Sequence, residues 1–244
     1  MVPEDKIQEF VRRVREAAGE NLESVILYGS AANGSYHAEF SDLNFFCLLR
    51  DTSYAALTLL APFARWWDAQ KQPAPLLMSR AELETTTDVF TIELIDMQQH
   101  HRVLFGEDVI APLEIPMRLH RAQVEYELRE KLILLRQRSL LATQKDQRLW
   151  ELLVHSIPSF STLFRHALIA LGQPAPTSKR EAVAELAKIV HFDPASIHQV
   201  LDVREHKLNT KAVEVRKLFA GYLAAIEQVT AAVDKALEPG EPSC

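Results

Sequence analysis

The residues best suited to chemistry lie between Leu27 and Leu49, in the stretch LYGSAANGSYHAEFSDLNFFCLL. Gly29-Ser30 ends a β-branched and aromatic run, Ser24 to Tyr28. Eleven residues after Ser30, Ser41-Asp42-Leu43-Asn44 opens a second apolar run that ends at Leu49. A glycine at such a turn lets backbone approach a ligand closely, and the serine hydroxyl adds a contact for a phosphate oxygen. In a strand, residues i and i+2 share a face, so Asp42 and Asn44 are expected side by side at a strand end. That pairing beside a phosphate-holding turn suits a magnesium ion shared between protein and nucleotide. Magnesium prefers carboxylate oxygen and typically takes one or two carboxylates plus substrate phosphates. A strand–Gly–Ser turn by itself is common and often only a tight turn; Asp42 at this distance is what makes the stretch specific.

With LYGS and SDLN in these places, the chain resembles the DNA polymerase beta-like nucleotidyltransferase superfamily. Its signature is a hydrophobic strand, Gly-Ser, a spacer of about this length, and Asp-x-Asp or Asp-x-Glu. The likeness extends more loosely over the first 113 or so residues, and the helical remainder is similar to that of aminoglycoside-type members. The resemblance implies magnesium-dependent transfer of a nucleoside monophosphate from an NTP to a hydroxyl of a small molecule or protein. It implies that Gly29, Ser30 and Ser41 face the nucleotide and that Asp42 binds the metal, with Asn44 in the place of its second acidic ligand. There lies the departure. Asparagine offers one neutral amide oxygen, and its NH2 group cannot ligate a hard cation. The family's third carboxylate usually lies on the third strand, where this chain reads PAPLLMS, without an acid. Glu82, Glu84 and Glu93 follow on expected helices. Losing one transition-state electrostatic partner commonly costs about 2.7–4 kcal/mol in enzymes. The reading is therefore a nucleotidyltransferase-type protein whose transfer is weakened or lost. The alternative is a nucleotide-sensing or protein-interaction module without catalysis.

The elements that must position these residues follow from periodicity. Ile7, Phe10, Val11 and Val14 form one face of an N-terminal helix. Strands are expected at Ser24–Tyr28, Leu43–Leu49, Pro75–Met78 and Arg102–Phe105. Between them come a helix from Tyr54 to Ala69, irregular at Pro62 and capped by Thr52 or Ser53. A helix opened by the Ser79/Glu82 capping box and one capped by Asp88 over Val89–His100 follow. From Pro116 the pattern becomes wholly helical: Met117–Thr143, Lys145–Leu171 with Pro158 inside it, helices starting at Ser178 and Asp193, and Asn209–Leu237. The fold class is α+β, a small mixed sheet with helices followed by an all-helical bundle. The expected domains are 1–113 and 114–238, with a flexible tail at 239–244.

Composition narrows the class further. The 244 residues are 48% hydrophobic and 25% charged, ordinary for one large or two smaller globular domains. The net charge of −6 argues against nucleic acid and anionic membrane as partners. Up to Leu113 there are 9 basic against 17 acidic residues, and from Glu114 onward 18 against 16, consistent with two modules. Only Cys47 and Cys244 are present, and there is neither an N-terminal apolar leader nor a membrane-length run, so a cytoplasmic location is expected. A homodimer is compatible with this reading. His100-His101 diverge on a helix and do not chelate together. Arg148 and His155 are spaced loosely like a ribonuclease pair but lack its accompanying polar residue. Tyr36 and His37 read as surface residues near the turn, Phe63, Trp66 and Trp67 as core, and the charged residues from Arg118 to Arg138 as a solvated, salt-bridged face.

Overall fold

A computed structural model of the protein describes residues 2–34, 36 and 41–237. The expected tail at 239–244 and His37 lie outside these residues. By its contacts the chain divides into two compact units, Met1–Pro116 and Met117–Cys244.

In the first unit, helix α1 (Glu4–Ala18) buries Ile7, Phe10 and Val14. Strand β1 (Leu22–Tyr28) pairs antiparallel with β2 (Asn44–Leu49) and with β4 (His101–Gly106), and β3 (Leu76–Ser79) adds parallel to β2. The strand order is β3-β2-β1-β4. Alternation along β1 and β2 sends side chains to two cores. Val25, Leu27, Phe45 and Cys47 meet α1 and α3 (Ala61–Ala69), where Phe63 and Trp67 are buried. Ile26, Phe46 and Leu48 meet Met78, Leu83, Leu94 and Met97 from β3, α4 (Arg80–Thr86) and α5 (Thr91–Gln99). Both faces are covered, which is why these strands read as unbroken apolar runs. Phe10 stacks on Phe45 with ring centroids 3.7 Å apart, locking α1 to the strand that carries Asn44. Burial pushes the Cys47 thiol up to about 12, so it behaves as an inert core group.

Several local expectations are met. Ser53 accepts from Ala56 N at the start of α2 (Tyr54–Leu59), and the Ser79/Glu82 capping box is complete. Others need correction. The helix expected over Tyr54–Ala69 is two helices, because Pro62, lacking an N–H, occupies the first turn of α3 rather than the middle of a longer helix. Asp88 caps nothing: Thr86 O accepts from both Val89 N and Phe90 N, and this turn delays α5 to Thr91.

The second unit contains α6 (Met117–Ala142), α7 (Asp146–Ala170), α8 (Lys179–Val190), α9 (Ala195–Arg204) and α10 (Val215–Leu237). The last helix starts later than Asn209, which instead caps a 3-10 turn at Thr210–Ala212. Val124, Leu128, Leu153, Phe164, Ile226 and Val229 are fully buried among these helices. The pairs Arg129–Glu125 and Lys131–Glu127, at 2.7 and 2.9 Å, bear out the salt-bridged helix surface. Among the described residues no helix is long and apolar enough to cross a membrane.

Phe10→Ala removes both its own buried area and the support under Phe45. It is expected to lower unfolding free energy by about 3–5 kcal/mol, read as a reduced urea midpoint at unchanged m-value.

Candidate functional site

The antiparallel register puts Tyr28 opposite Asn44 and, on its other side, opposite His101. The residue after Tyr28 is Gly29, so the turn and the head of β2 meet at one end of the sheet. Gly29 has φ +75°, and a 3-10 turn runs Gly29–Ala31, with Ala32 N and Asn33 N both donating to Gly29 O at 3.0 and 3.2 Å. The first N–H groups of such a turn have no partner inside it. A Cβ added to Gly29 would stand 3.1 Å from Asn44 Nδ2. Glycine is therefore favoured twice, by the left-handed backbone and by the Asn44 amide close to where a Cβ would stand.

Leu43 is fully buried on the α1 side, and its N–H donates to Gln72 Oε1 at 2.8 Å. This anchor holds the entry to β2 and leaves Asp42 exposed two residues before Asn44. Gly29, Ser30, Ser41 and Asn44 are all half-buried around this end of the sheet. Tyr36 is half-buried and packs against the α1-side core rather than standing free at the surface.

Of the three glutamates considered for a missing acid, Glu82 is committed elsewhere, its carboxylate bonded to Ser79 and Thr52 at the opposite end of β3. Glu93 lies in the first turn of α5, and desolvation, then the Glu93 charge, raise the Tyr28 hydroxyl above its ordinary range. Glu84 stays exposed on α4. Among the described residues of the Gly-Ser turn and the Ser-Asp-Leu-Asn stretch, Asp42 is the one carboxylate, with the Asn44 amide and the Ser30 hydroxyl at the same end of the sheet. One carboxylate with neutral oxygens suits a single hard cation completed by substrate phosphates better than a pair of bridged cations. Among the described residues no three His, Cys, Asp or Glu side chains cluster as a metal site.

Other candidates resolve as structure. His101 bonds Met97 O at 2.7 Å and Asp108 at 3.0 Å, fixing the Gly106–Asp108 turn rather than chelating with His100. The His155 ring bonds Glu151 O at 2.6 Å. A cavity of about 450 Å3 beside Arg12, Arg15, Gly19 and Phe105 lies at the other end of the sheet, where Phe105 pairs with Val25.

The helical unit holds a cluster that sequence reasoning missed. Pro158 has no N–H to donate to Val154 O, and the Arg204 guanidinium takes that carbonyl instead at 3.1 Å. Lys179 Nζ donates to Pro158 O at 3.4 Å. Desolvation, then Arg204 and Arg165, pull Lys179 down to about 8. Proline inside a helical pattern was the one available signal. Next to the cluster, Arg165 faces His166 Nε2, and His166 Nδ1 lies 2.9 Å from His120 Nε2. His120 Nδ1 is buried with no hydrogen-bond partner among the described residues.

The fold has a counterpart of known structure. The spectinomycin adenyltransferase AAD(9) from Enterococcus faecialis, solved with ATP and spectinomycin, aligns at TM-score 0.56 and 14% identity over 95% of this chain and 99% of that one. A toxin–antitoxin solved with AMP-PNP aligns over 43% of this chain and 75% of that one, at TM-score 0.29 and 21% identity. No family model and no curated protein sequence matches the chain. The likeness to AAD(9) shows the fold: a nucleotidyltransferase-type mixed α/β unit followed by a helical one.

Two outcomes are expected. Gly29→Ala should cost about 1–3 kcal/mol of stability for forcing a side chain into positive φ against Asn44, measured by urea titration. Burial, then the charges of His166 and Arg121, lower His120 to about 4, so it is neutral in the fold and gains a proton on unfolding. Stability is full above the ordinary histidine pKa of about 6.5 and is lost as pH falls from there toward 4, by on the order of 3 kcal/mol. His120→Leu should flatten that limb of the pH–stability curve.

Proposed function

We propose that the chain binds a nucleoside triphosphate at the Gly29–Ser30 turn and transfers its nucleotidyl group to a hydroxyl acceptor, slowly for want of a second carboxylate. The observation that supports this most is the meeting of the positive-φ glycine, Ser30, Asp42 and Asn44 at one sheet end, in the fold shared with an adenyltransferase. In this reading the free N–H groups of the turn and the Ser30 hydroxyl donate to phosphate oxygens. Asp42 holds magnesium, which when bound offsets phosphate charge. The acceptor oxygen forms its bond to the α-phosphorus, the bond to the bridging oxygen breaks, and pyrophosphate leaves. The carboxylate we assign to take the acceptor's proton is Glu93, whose charge is felt at Tyr28 beside Asn44 in the sheet. Asn44 supplies a neutral oxygen where a charge is needed, so the developing charge is under-compensated. ATP and a small polyhydroxylated acceptor are the first candidates, by analogy with the ligands of AAD(9).

One observation favours a second reading, nucleotide binding without transfer. The Asn44 NH2 lies against Gly29, and an amide N–H there is a donor suited to a phosphate oxygen rather than a ligand for a cation.

Thermal denaturation with each NTP and magnesium tests binding. A bound triphosphate at about 100 times its Kd stabilises by about 2.7 kcal/mol, several degrees in Tm. The shift should appear with at least one NTP, require magnesium, and vanish in Asp42→Ala. No shift with any NTP would overturn both readings.

A further inference from the structure

Strand β2 is held at each end by the amide side chain of a residue outside the sheet. At the far end, Asn21 Oδ1 accepts from Asp51 N at 2.8 Å and Asn21 Nδ2 donates to Asp51 O at 3.0 Å. At the site end, Gln72 Oε1 accepts from Leu43 N at 2.8 Å. This second contact stands where the sheet can no longer supply one. Tyr28 is the last β1 residue in register, opposite Asn44, and Leu76 is the first of β3, opposite Phe46. Leu43 lies beyond both neighbouring strands, yet it is fully buried, so its N–H needs an acceptor other than water. The Gln72 carbonyl provides it and acts as one further rung of the ladder.

The segment that carries Gln72 is tied down on both sides of it. Past α3, Gln70 N donates to Trp67 O at 2.9 Å and Lys71 N to Asp68 O at 2.8 Å. Lys71 takes a left-handed backbone, φ +56°, which a long side chain adopts when its surroundings impose it. One residue past Gln72, Pro73 O accepts from the Trp67 indole N–H at 2.8 Å. Trp67 is itself locked edge-on against Phe10 and Phe45, with ring centroids 4.8 and 5.6 Å apart. The aromatic core under β2 is thus connected, through Trp67 and Gln72, to the peptide that joins Asp42 to Leu43. Asp42 is exposed and has no side-chain hydrogen bond among the described residues, so its backbone is what aims its carboxylate.

We propose that Gln72 is a positioning residue for the metal-binding carboxylate: its carbonyl fixes the Asp42–Leu43 peptide so that Asp42 meets a magnesium–triphosphate complex at the sheet end. This rests on the nucleotide reading given above. Loss of a group that orients a metal ligand commonly weakens metal binding by about 10–100-fold. Asn21 makes the same kind of contact at the end of β2 that carries no candidate ligand, and so has no such effect.

Gln72→Leu keeps most of the side-chain bulk and removes the acceptor. At a fixed concentration of the NTP that stabilises the wild type, the free magnesium giving half the thermal shift should rise about tenfold in this variant. Gln72→Glu, which restores an acceptor, should return it close to the wild-type value. Asn21→Ala should lower the ligand-free melting temperature and leave the magnesium requirement unchanged. In ligand-free protein, hydrogen exchange at the Leu43 amide should be faster in Gln72→Leu, with amides deeper in β2 unaffected. An unchanged magnesium requirement in Gln72→Leu overturns the inference and leaves the nucleotide reading standing. So does an equal rise in Asn21→Ala, because general support of β2 would then be enough, and so does a Leu43 amide that exchanges no faster. Absence of any shift in the wild type overturns the nucleotide reading and this inference with it.

Discussion

The backbone pairing of Tyr28 with Asn44 is the constraint on which the rest of the first unit depends. It ends β1 and begins β2 at the same level, so the turn at Gly29 has to fold back directly beside the Asn44 side chain. Glycine accepts both the positive φ and the close amide without strain. Around that fixed point the other parts have complementary tasks. Leu43 pulls the β2 entry into the α1-side core, Gln72 holds its N–H, and Phe10 on Phe45 clamps the strand from the same side. Asp42 is thereby left in solvent next to Asn44. A one-residue slip of β2 would exchange its two faces and bury Asn44 in the apolar core.

Much of this was legible because it is local. The Gly-Ser and Ser-Asp-Leu-Asn stretches, the apolar strands buried on both faces, the Ser79/Glu82 capping box and the change to all-helical periodicity after Pro116 each depend on a few neighbouring residues. What escaped depends on distant ones. Gln72 reaches the β2 entry from 29 residues away. Glu93 acts on Tyr28 only because α5 packs against the sheet face that Tyr28 shares with Ile26. Asp88 had the right residue type for a cap, yet the Thr86 carbonyl took the local N–H groups first. Pro62 broke the expected long helix by serving as a start, a choice that spacing alone leaves open. The Lys179–Arg204 cluster had no sequence signal beyond Pro158, since it joins three helices at the carbonyls around that proline.

The electrostatic balance of the strand end is then the central issue for function. A dication beside a triphosphate is normally held by fixed negative charge from the protein, and here Asp42 is the only carboxylate of the motif. In the proposed reading the Asn44 amide offers hydrogen bonding at that position without the charge. Such a substitution weakens stabilisation of the transition state more than it weakens phosphate binding, because charge develops in the first and not in the second. Binding and transfer are therefore expected to separate in this chain, which a full acidic set would keep together.

That separation is measured most directly by magnesium-dependent pyrophosphate release from ATP, GTP, CTP and UTP in the presence of polyhydroxylated acceptors, comparing the wild type with Asn44→Asp. Restoring the carboxylate should raise release by about 10²-fold, within the range that one such electrostatic partner contributes in other enzymes, while nucleotide affinity changes far less. Rapid release by the wild type that Asn44→Asp leaves unchanged or lowers would contradict the account.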